Sequence, residues 1–148
     1  MNRDLKIYHK IILLIFCVLL FFINSCGKKE IKTVSEDSRI ATEAIGVIEK
    51  IKEAYLKNDI SIIEANTTKD GFRSIRSVLK GFDSADLSFQ PAWVEIQKDV
   101  VYVNISWKGR WKRGGKTTDE RGMAIFALKG MPLKVDNILR ANPFIYPE

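Results

Sequence analysis

Cys26 offers the most definite chemistry in this sequence, because its thiol directly follows an apolar segment near the start of the chain. Residues 11–23 form a run of thirteen apolar side chains, and Arg3, Lys6 and Lys10 give the preceding segment a positive charge. Thirteen apolar residues are too few to cross a bilayer, which takes about 20. They fit the apolar centre of a secretory signal peptide, which has about 7–15 residues. The sequence therefore predicts export of the chain.

The residues that end this segment, Ile23, Asn24, Ser25 and Cys26, resemble the lipobox of bacterial lipoproteins. A lipobox has an aliphatic residue three positions before an obligatory cysteine, and the signal peptide is cut just before that cysteine. Asn24 departs from the small or apolar residue that is usual at its position. The resemblance implies cleavage between Ser25 and Cys26 and a diacylglycerol thioether on Cys26. Two or three acyl chains hold a protein stably to a membrane.

This reading divides the chain into three parts. Residues 1–25 are the cleaved signal peptide, residues 26–38 are the lipidated cysteine with a flexible tether, and residues 39–148 are a globular domain. Gly27 rather than Asp follows the cysteine, so no inner-membrane retention signal is evident. We expect a lipid-anchored protein of the cell envelope. It would lie on the periplasmic side of the outer membrane in a cell with two membranes, and on the outer face of the plasma membrane otherwise.

Loss of the signal peptide also limits the chemistry of the remaining chain. His9, the only histidine, and Cys17 are removed with it. The mature chain then has no histidine, and its single cysteine carries lipid. This excludes Ser-His-Asp and Cys-His catalysis and the usual zinc sites. We therefore expect no metal and no cofactor. The mature chain carries 21 Lys and Arg against 17 Asp and Glu, a net charge of +4.

Residues 107–116 are the most distinctive polar stretch, with five positive charges and two tryptophans in ten residues. On a strand, Trp107 and Trp111 share a face, and Gly109 between them leaves room for close approach. Such a hairpin could contact an anionic lipid, an anionic glycan or an envelope protein. Nucleic acid is not expected as a partner of an exported chain. In the alternative that we prefer, the tryptophans pack on the helices and the cations are hydrated. The candidate contact residues are Trp107, Lys108, Arg110, Trp111, Lys112, Arg113 and Lys116.

Apolar residues recur at three- and four-residue spacing in the first half of the domain, which predicts three helices. The first begins at Arg39 and is capped by Ser38. Asp59 caps a short second helix. The third helix is capped by Asp70 and ends at Gly81, because glycine favours helix ends.

The spacing changes from 3.6 to 2 in the second half, which predicts strands. Pro91 interrupts the first strand and indicates an edge position or a bulge. Gly114 and Gly115 accept positive φ angles and predict a hairpin turn. The predicted strands lie near residues 87–96, 101–107, 117–128 and 133–139.

Three helices followed by a four-stranded antiparallel meander define an α+β fold, with N-terminal helices packed on a curved sheet. This order resembles the nuclear transport factor 2-like superfamily, which includes ketosteroid isomerase-like domains. The resemblance covers about residues 39–144 and rests on element order, with no local motif. A cystatin-like arrangement of one helix on an antiparallel sheet is the alternative.

The resemblance implies a cone whose mouth can hold a small apolar ligand. Trp93, Trp107 and Phe126 are candidates to line such a pocket, although we prefer a closed, packed core. No residue matches a catalytic motif, so we expect a binding or interaction module and assign no catalytic residue. An isomerase- or dehydratase-like enzyme that uses carboxylate and tyrosine groups is the alternative. The polar groups available to it are Asp83, Asp86, Asp119, Glu120 and Tyr102.

Overall fold

The computed structural model describes residues 34–79 and 81–147. The signal peptide, Cys26 and the tether up to residue 33 lie outside these residues. The helices are α1 (Glu36–Leu56), α2 (Ile60–Ala65) and α3 (Lys69–Val78). The strands are β1 (Ser84–Gln97), β2 (Val100–Arg113), β3 (Lys116–Lys129) and β4 (Lys134–Arg140). Of these three helices, none has the length and apolar character needed to cross a membrane.

Helix α1 begins three residues before the predicted start at Arg39. Its cap is Ser35, whose Oγ accepts a hydrogen bond from the backbone N–H of Ser38 at 3.2 Å. Both serines are good caps, but capping by Ser35 places Glu36 and Asp37 in the first turn, where negative charge is favourable. Residues 36–38, which were predicted to belong to the tether, therefore belong to the helix.

Helix α2 has the predicted cap. The Oδ1 atom of Asp59 accepts a hydrogen bond from the backbone N–H of Ile62 at 3.2 Å. Just before it, Asn58 adopts a φ angle of 54°, which reverses the chain between the first two helices.

Helix α3 is capped by Thr68 rather than by the predicted Asp70. The Thr68 hydroxyl accepts from the N–H of Gly71 at 3.2 Å and donates to Oδ1 of Asp136 at 2.8 Å. Because Asp136 is on β4, the cap also ties the helix to the sheet. The helix ends at Val78, three residues before the predicted end.

The four strands form one antiparallel sheet in the order β1-β2-β3-β4, so β1 and β4 are its edges. The register of β1 shifts between Pro91 and Trp93, which confirms the predicted edge position and bulge. Gly114 and Gly115 have φ angles of 56° and 84° and form the predicted turn between β2 and β3. The expected α+β fold is confirmed.

The two faces of the sheet differ in their neighbours. We call the face that contacts the helices the inner face and the opposite one the outer face. Odd-numbered residues of β2 point inward and are buried, from Val101 to Trp111. The indole N–H of Trp111 donates to the hydroxyl of Tyr55 on α1 at 2.8 Å. The odd-numbered side chains of β2 from Val101 to Trp111 therefore belong to the core, and the even-numbered ones lie on the outer face.

Aromatic rings fill the space between the inner face and α1. The ring of Phe144, in the segment after β4, lies 5.1 Å from that of Tyr55 and 6.2 Å from that of Phe126 on β3. Phe89 of β1 lies 6.1 Å from Phe126. The segment after β4 thus contributes Phe144 to the core.

Each buried indole of β2 lies over a glycine of the sheet. A Cβ atom added to Gly109 would overlap the six-membered ring of Trp111. A Cβ added to Gly122 on β3 would lie 2.9 Å from Cζ2 of Trp107. The predicted close approach at Gly109 is therefore confirmed, and Gly122 provides a second one.

We predict that Gly109→Ala destabilises the fold by about 1–3 kcal/mol, because the added methyl displaces Trp111 in a packed core. Gly46→Ala is the matched control, since a Cβ at that position in α1 meets nothing within 4 Å. The control should gain about 0.5–1 kcal/mol, because glycine weakens a helix interior. Urea unfolding measures both changes. Equal midpoints for the two variants would contradict the packing described here.

Candidate functional site

The three residues predicted to line a pocket do not meet in one. Trp107 and Phe126 are buried on the inner face, at 3% and 0% exposure. Trp93 pairs with Asn104 and lies on the outer face, where 45% of it is exposed. The bulge after Pro91 adds one residue to β1. Because a one-residue shift moves a side chain to the other face, the residues after the bulge point to the face opposite to the one that regular alternation would give them. The prediction of a shared pocket was wrong for Trp93.

The acidic groups available to an enzyme lie outside the core. Asp83, Asp86, Asp119 and Glu120 are exposed. The Asp83 carboxylate accepts from the N–H of Gly114 at 2.8 Å and so stabilises the hairpin turn. Asp119 pairs with Arg110 at 2.6 Å on the outer face. No two of these carboxylates converge on an interior cavity among the described residues.

Tyr102 also lies apart from the core. It sits on the outer face of β2, as predicted, between the inward-facing Val101 and Val103. Its hydroxyl therefore cannot act in the space beneath the helices.

The space beneath the helices is occupied by side chains. The largest fully buried residues include Trp111, Tyr55, Phe126 and Phe144. Within residues 34–79 and 81–147, the polar residues classed as buried are Thr67 and Asn104. Thr67 donates to the carbonyl of Ile63 at 2.9 Å, and Asn104 belongs to the outer face. As far as the described residues show, the core therefore presents no unpartnered polar side chain around which a small ligand could be oriented.

A hydrogen bond between two buried side chains joins Tyr55 to Trp111 in the core. Burial raises the pKa of the Tyr55 hydroxyl above its ordinary value of 10.0, while the hydrogen bond from the Trp111 indole opposes this rise. The tyrosine is thus held neutral and serves as an acceptor. It links the end of α1 to the part of β2 near the hairpin.

Within residues 34–79 and 81–147, three carboxyl groups have a pKa moved from the ordinary value, and all three move downward. The hydrogen bond from Arg39 lowers the pKa of Glu36, and the hydrogen bond from Ser61 lowers that of Asp59. Hydrogen bonds from Lys129 and then Thr68 lower the pKa of Asp136. These groups are fixed as anions. A general base poised near neutral pH needs a pKa shifted in the opposite direction.

The stretch 107–116 divides between the two faces. Trp107 is 3% and Trp111 0% exposed, and the indole N–H of Trp107 donates to the carbonyl of Ala141 at 2.9 Å. Neither indole is available to a membrane or a glycan, so both tryptophans are removed from the predicted contact set. The alternation of β2 sends Lys108, Arg110 and Lys112 to the outer face.

The cations nearest the turn form what we call the hairpin tip: Lys112, Arg113 and Lys116. The Arg113 guanidinium lies 5.5 Å from the ring centre of Tyr146. No ion pair joins Lys112 or Lys116 to another residue in the described part of the chain. The tip therefore keeps exposed positive charge.

The hairpin tip and the start of α1 lie at opposite ends of the domain. Arg39 and Ile40 line a groove with the turns that follow β1 and β3. At the other end of α1, Tyr55 contacts Trp111 near the β2–β3 turn. A helix of 21 residues is about 30 Å long, so roughly that distance separates the two ends.

The groove beside the start of α1 has a volume of about 700 Å³ and mostly apolar walls. Its carboxylate Glu43 accepts a hydrogen bond from the backbone N–H of Leu133 at 3.1 Å, which gives that side chain a structural role. No group of three or more His, Cys, Asp or Glu side chains in the described part of the chain is placed to hold a metal ion.

The outer face carries an apolar surface that sequence reasoning missed. Trp93, Met123 and Leu139 are 45%, 45% and 41% exposed. They lie near Ile125, which pairs with Leu139 across β3 and β4. A signal was present in the sequence, because residues 123–128 are six consecutive apolar residues. Such a run is typical of a strand that is buried on both faces.

Asn104 lies within this apolar surface. It is only 3% exposed although it points away from the core, and its Oδ1 atom has no hydrogen-bond partner within the described residues. The surrounding side chains on the outer face therefore pack closely enough to exclude solvent from it.

Comparison with known proteins identifies the fold. No family model and no curated protein sequence matches the chain. Among solved structures, it is similar to a nuclear transport factor 2 (NTF2-like) superfamily protein from Salmonella enterica subsp. enterica serovar Typhimurium str. LT2. The match has a TM-score of 0.64 and 14% identity, and it covers 72% of this chain and 93% of the other. The chain therefore has an NTF2-like fold, as its element order predicted.

We predict that Tyr55→Phe destabilises the protein by about 1–3 kcal/mol, because the N–H of Trp111 is left buried without an acceptor. The loss should depend on pH. Since the pKa of Tyr55 is raised on folding, the unfolded chain ionises first, and the free energy of unfolding of the native protein falls above about pH 10. The variant lacks this part of the fall.

Urea unfolding between neutral and alkaline pH measures both effects, with Tyr102→Phe on the outer face as the control. The same loss of stability in both variants would show that the Tyr55–Trp111 hydrogen bond is unimportant.

Proposed function

We propose that this protein is a lipid-anchored lipoprotein of the bacterial envelope whose NTF2-like domain is a binding module. Lipid on Cys26 would supply the anchor, and a short tether would lead to Ser35, where α1 is capped. The anchor rests on the lipobox-like residues 23–26 behind their apolar segment. The domain would face the periplasm from the outer membrane, or the exterior in a cell with one membrane.

The closed core is the observation that favours binding over catalysis. Trp111, Tyr55, Phe126 and Phe144 occupy the space where an open cone would hold a small molecule. The candidate carboxylates are exposed, and the three carboxyl groups with displaced pKa values are held as anions. A filled interior leaves recognition to the exterior of the domain.

The hairpin tip is the proposed contact with an anionic envelope surface. Its three cations, Lys112, Arg113 and Lys116, stand at the end of the domain opposite to the start of α1. Eight residues, 27–34, separate Cys26 from Ser35, and the nine steps between these two residues can extend to about 30 Å, similar to the length of α1. A tether with this reach spans the length of α1, so it would allow the tip to meet the membrane that holds the anchor.

Replacing Cys26 by Ser should abolish lipidation, because serine lacks the thiol that forms the thioether. Cells producing the native chain should incorporate a labelled fatty acid into the protein, and the variant should not. Cys17→Ser is the matched control, since that cysteine lies in the apolar segment and should leave labelling unchanged. Continued labelling of the Cys26→Ser variant would refute the anchor.

Replacing Lys112, Arg113 and Lys116 by Gln should weaken binding to anionic vesicles about a hundredfold at low salt, since each cation near such a surface contributes about 1 kcal/mol. The test uses residues 27–148, which lack Cys26, and vesicles with and without anionic lipid. The control replaces three exposed cations elsewhere, Lys50, Lys57 and Lys98. Equal weakening in both variants would show that overall charge is responsible, and no binding by the native sequence would refute contact with lipid.

A further inference from the structure

A groove between α3 and the start of β4 is lined mainly by positive side chains, and we call it the α3 groove. It has a volume of about 540 Å³. Its charged residues are Lys69, Arg73 and Arg76 of α3, Lys134 of β4 and Glu64 of α2. Four cations therefore line the groove together with a single carboxylate.

Most of these cations have no partner of opposite charge. Within the described residues, no ion pair joins Lys69, Arg76 or Lys134 to another side chain. Arg73 pairs with Asp70 at 3.1 Å, but both side chains are largely exposed, and an exposed pair of this kind is weak. An anion in the groove would therefore meet positive groups that are free to bind it.

The carboxylates near the α3 groove do not cancel its charge. Asp136 of β4 pairs with Lys129 at 2.6 Å and accepts a hydrogen bond from Thr68 at 2.8 Å, so it is already engaged. Glu64 is exposed and belongs to no ion pair in the part of the chain that the structure describes. With Asp70 and Lys129 included, five cations stand against three carboxylates, a net charge of +2.

The guanidinium of Arg76 is positioned by an aromatic ring. Its Cζ atom lies 5.7 Å from the ring centre of Phe72, which lines the groove and packs against the core. A contact between a cation and a ring face restricts the side chain and leaves its N–H donors unused. An arginine that is ordered before binding loses less entropy when a ligand arrives.

Close packing of α3 on β4 fixes the separation between the two sides of the groove. The backbone N–H of Thr68, the cap of α3, donates to the carbonyl of Val135 at 2.9 Å. A Cβ atom added to Gly71 would overlap that same carbonyl oxygen, so the first turn of the helix lies directly against the strand. Lys134 precedes Val135 and is therefore held beside the cations of α3.

We propose that the α3 groove binds a phosphate group. A phosphate ester carries three strong acceptor oxygens and close to two negative charges at neutral pH. The guanidinium fork matches two such oxygens, so Arg76 would donate a pair of hydrogen bonds. Lys69 and Lys134 would supply charge from α3 and from β4. A dianion would also balance the net charge of the site.

The phosphate can belong to a lipid headgroup or to a soluble compound. Lys134 follows the β3–β4 turn, and the same turn borders the groove beside the start of α1. The α3 groove therefore lies near the end of the domain where α1 begins, opposite to the hairpin tip. A membrane that held the anchor would offer headgroups at this end. The recognition chemistry is the same for both sources, and the test separates them.

Titration calorimetry with inorganic phosphate, at an ionic strength held constant with chloride, tests the site directly. Residues 27–148 are used, because they contain the whole of the described core. The test variant replaces Lys69, Arg73 and Arg76 by Gln, since all three side chains are exposed and glutamine has a similar helix propensity. We expect this variant to bind phosphate at least about tenfold more weakly than the native sequence, because charge-assisted hydrogen bonds are lost.

Two further variants show whether the position of the charge matters. The matched control replaces Lys112, Arg113 and Lys116 by Gln, which removes the same three charges at the hairpin tip. It should bind phosphate as the native sequence does. Glu64→Gln removes the carboxylate of the groove and should strengthen binding about twofold, as expected for one exposed charge.

Vesicle sedimentation separates the two sources of phosphate. Vesicles of phosphatidylcholine with phosphatidic acid are compared with vesicles of phosphatidylcholine alone. Every chain in this comparison carries the hairpin-tip substitutions, so that binding through the tip does not contribute. If the phosphate comes from lipid, the chain should sediment with the phosphatidic acid vesicles, and adding the three α3 substitutions should abolish this.

Binding of inorganic phosphate or of phosphatidic acid vesicles supports the proposal if the α3 substitutions remove it. Three results would overturn the proposal: no binding in either experiment, equal weakening of phosphate binding by the α3 and hairpin-tip substitutions, or no gain from Glu64→Gln. Neither experiment depends on lipidation of Cys26 or on the hairpin tip. The phosphate site can therefore fail while the proposed function stands, and the reverse.

Discussion

The packing of two indole rings on the inner face holds the separate parts of this domain together. Trp111 lies over Gly109 and donates to Tyr55 on α1, while Trp107 lies over Gly122 and donates to the carbonyl of Ala141. Each ring needs a glycine beneath it, where a side chain would overlap the ring, and a hydrogen-bond acceptor for its N–H group. Because the two acceptors come from the first helix and from the segment after the last strand, the two tryptophans join the beginning and the end of the domain to the middle of its sheet.

This arrangement also fills the interior of the domain. Two indoles, Tyr55, Phe126 and Phe144 occupy the space between the helices and the sheet. A buried polar group must keep its partner, so the Tyr55–Trp111 pair could not be given up to orient a ligand without a loss of stability. Among the described residues, the polar groups that remain free to interact therefore lie on the exposed surface of the domain and not in its core.

Features of this structure that depend on neighbouring residues were predicted from the sequence. Features that depend on contacts between distant residues were not. The cap of α2 at Asp59, the Gly114–Gly115 turn and the close approach at Gly109 each depend on neighbouring residues and were predicted correctly. The cap of α3 was not, because Thr68 is fixed in part by Asp136 on β4. Trp93 was assigned to the wrong side because the position of a one-residue bulge is not evident from alternation alone.

The two faces of β2 show why a motif read along the chain can mislead. Residues 107–116 look like one cluster of tryptophans and cations, yet a strand sends successive side chains to opposite faces. Core packing restricts the inward residues, whereas the outward residues could change to other polar types at little cost to folding. Apolar side chains on the outer face have no such explanation in the core, since Trp93, Met123 and Leu139 stabilise nothing beneath the helices. Their exposure is set by the surface of the domain and not by the packing of its core.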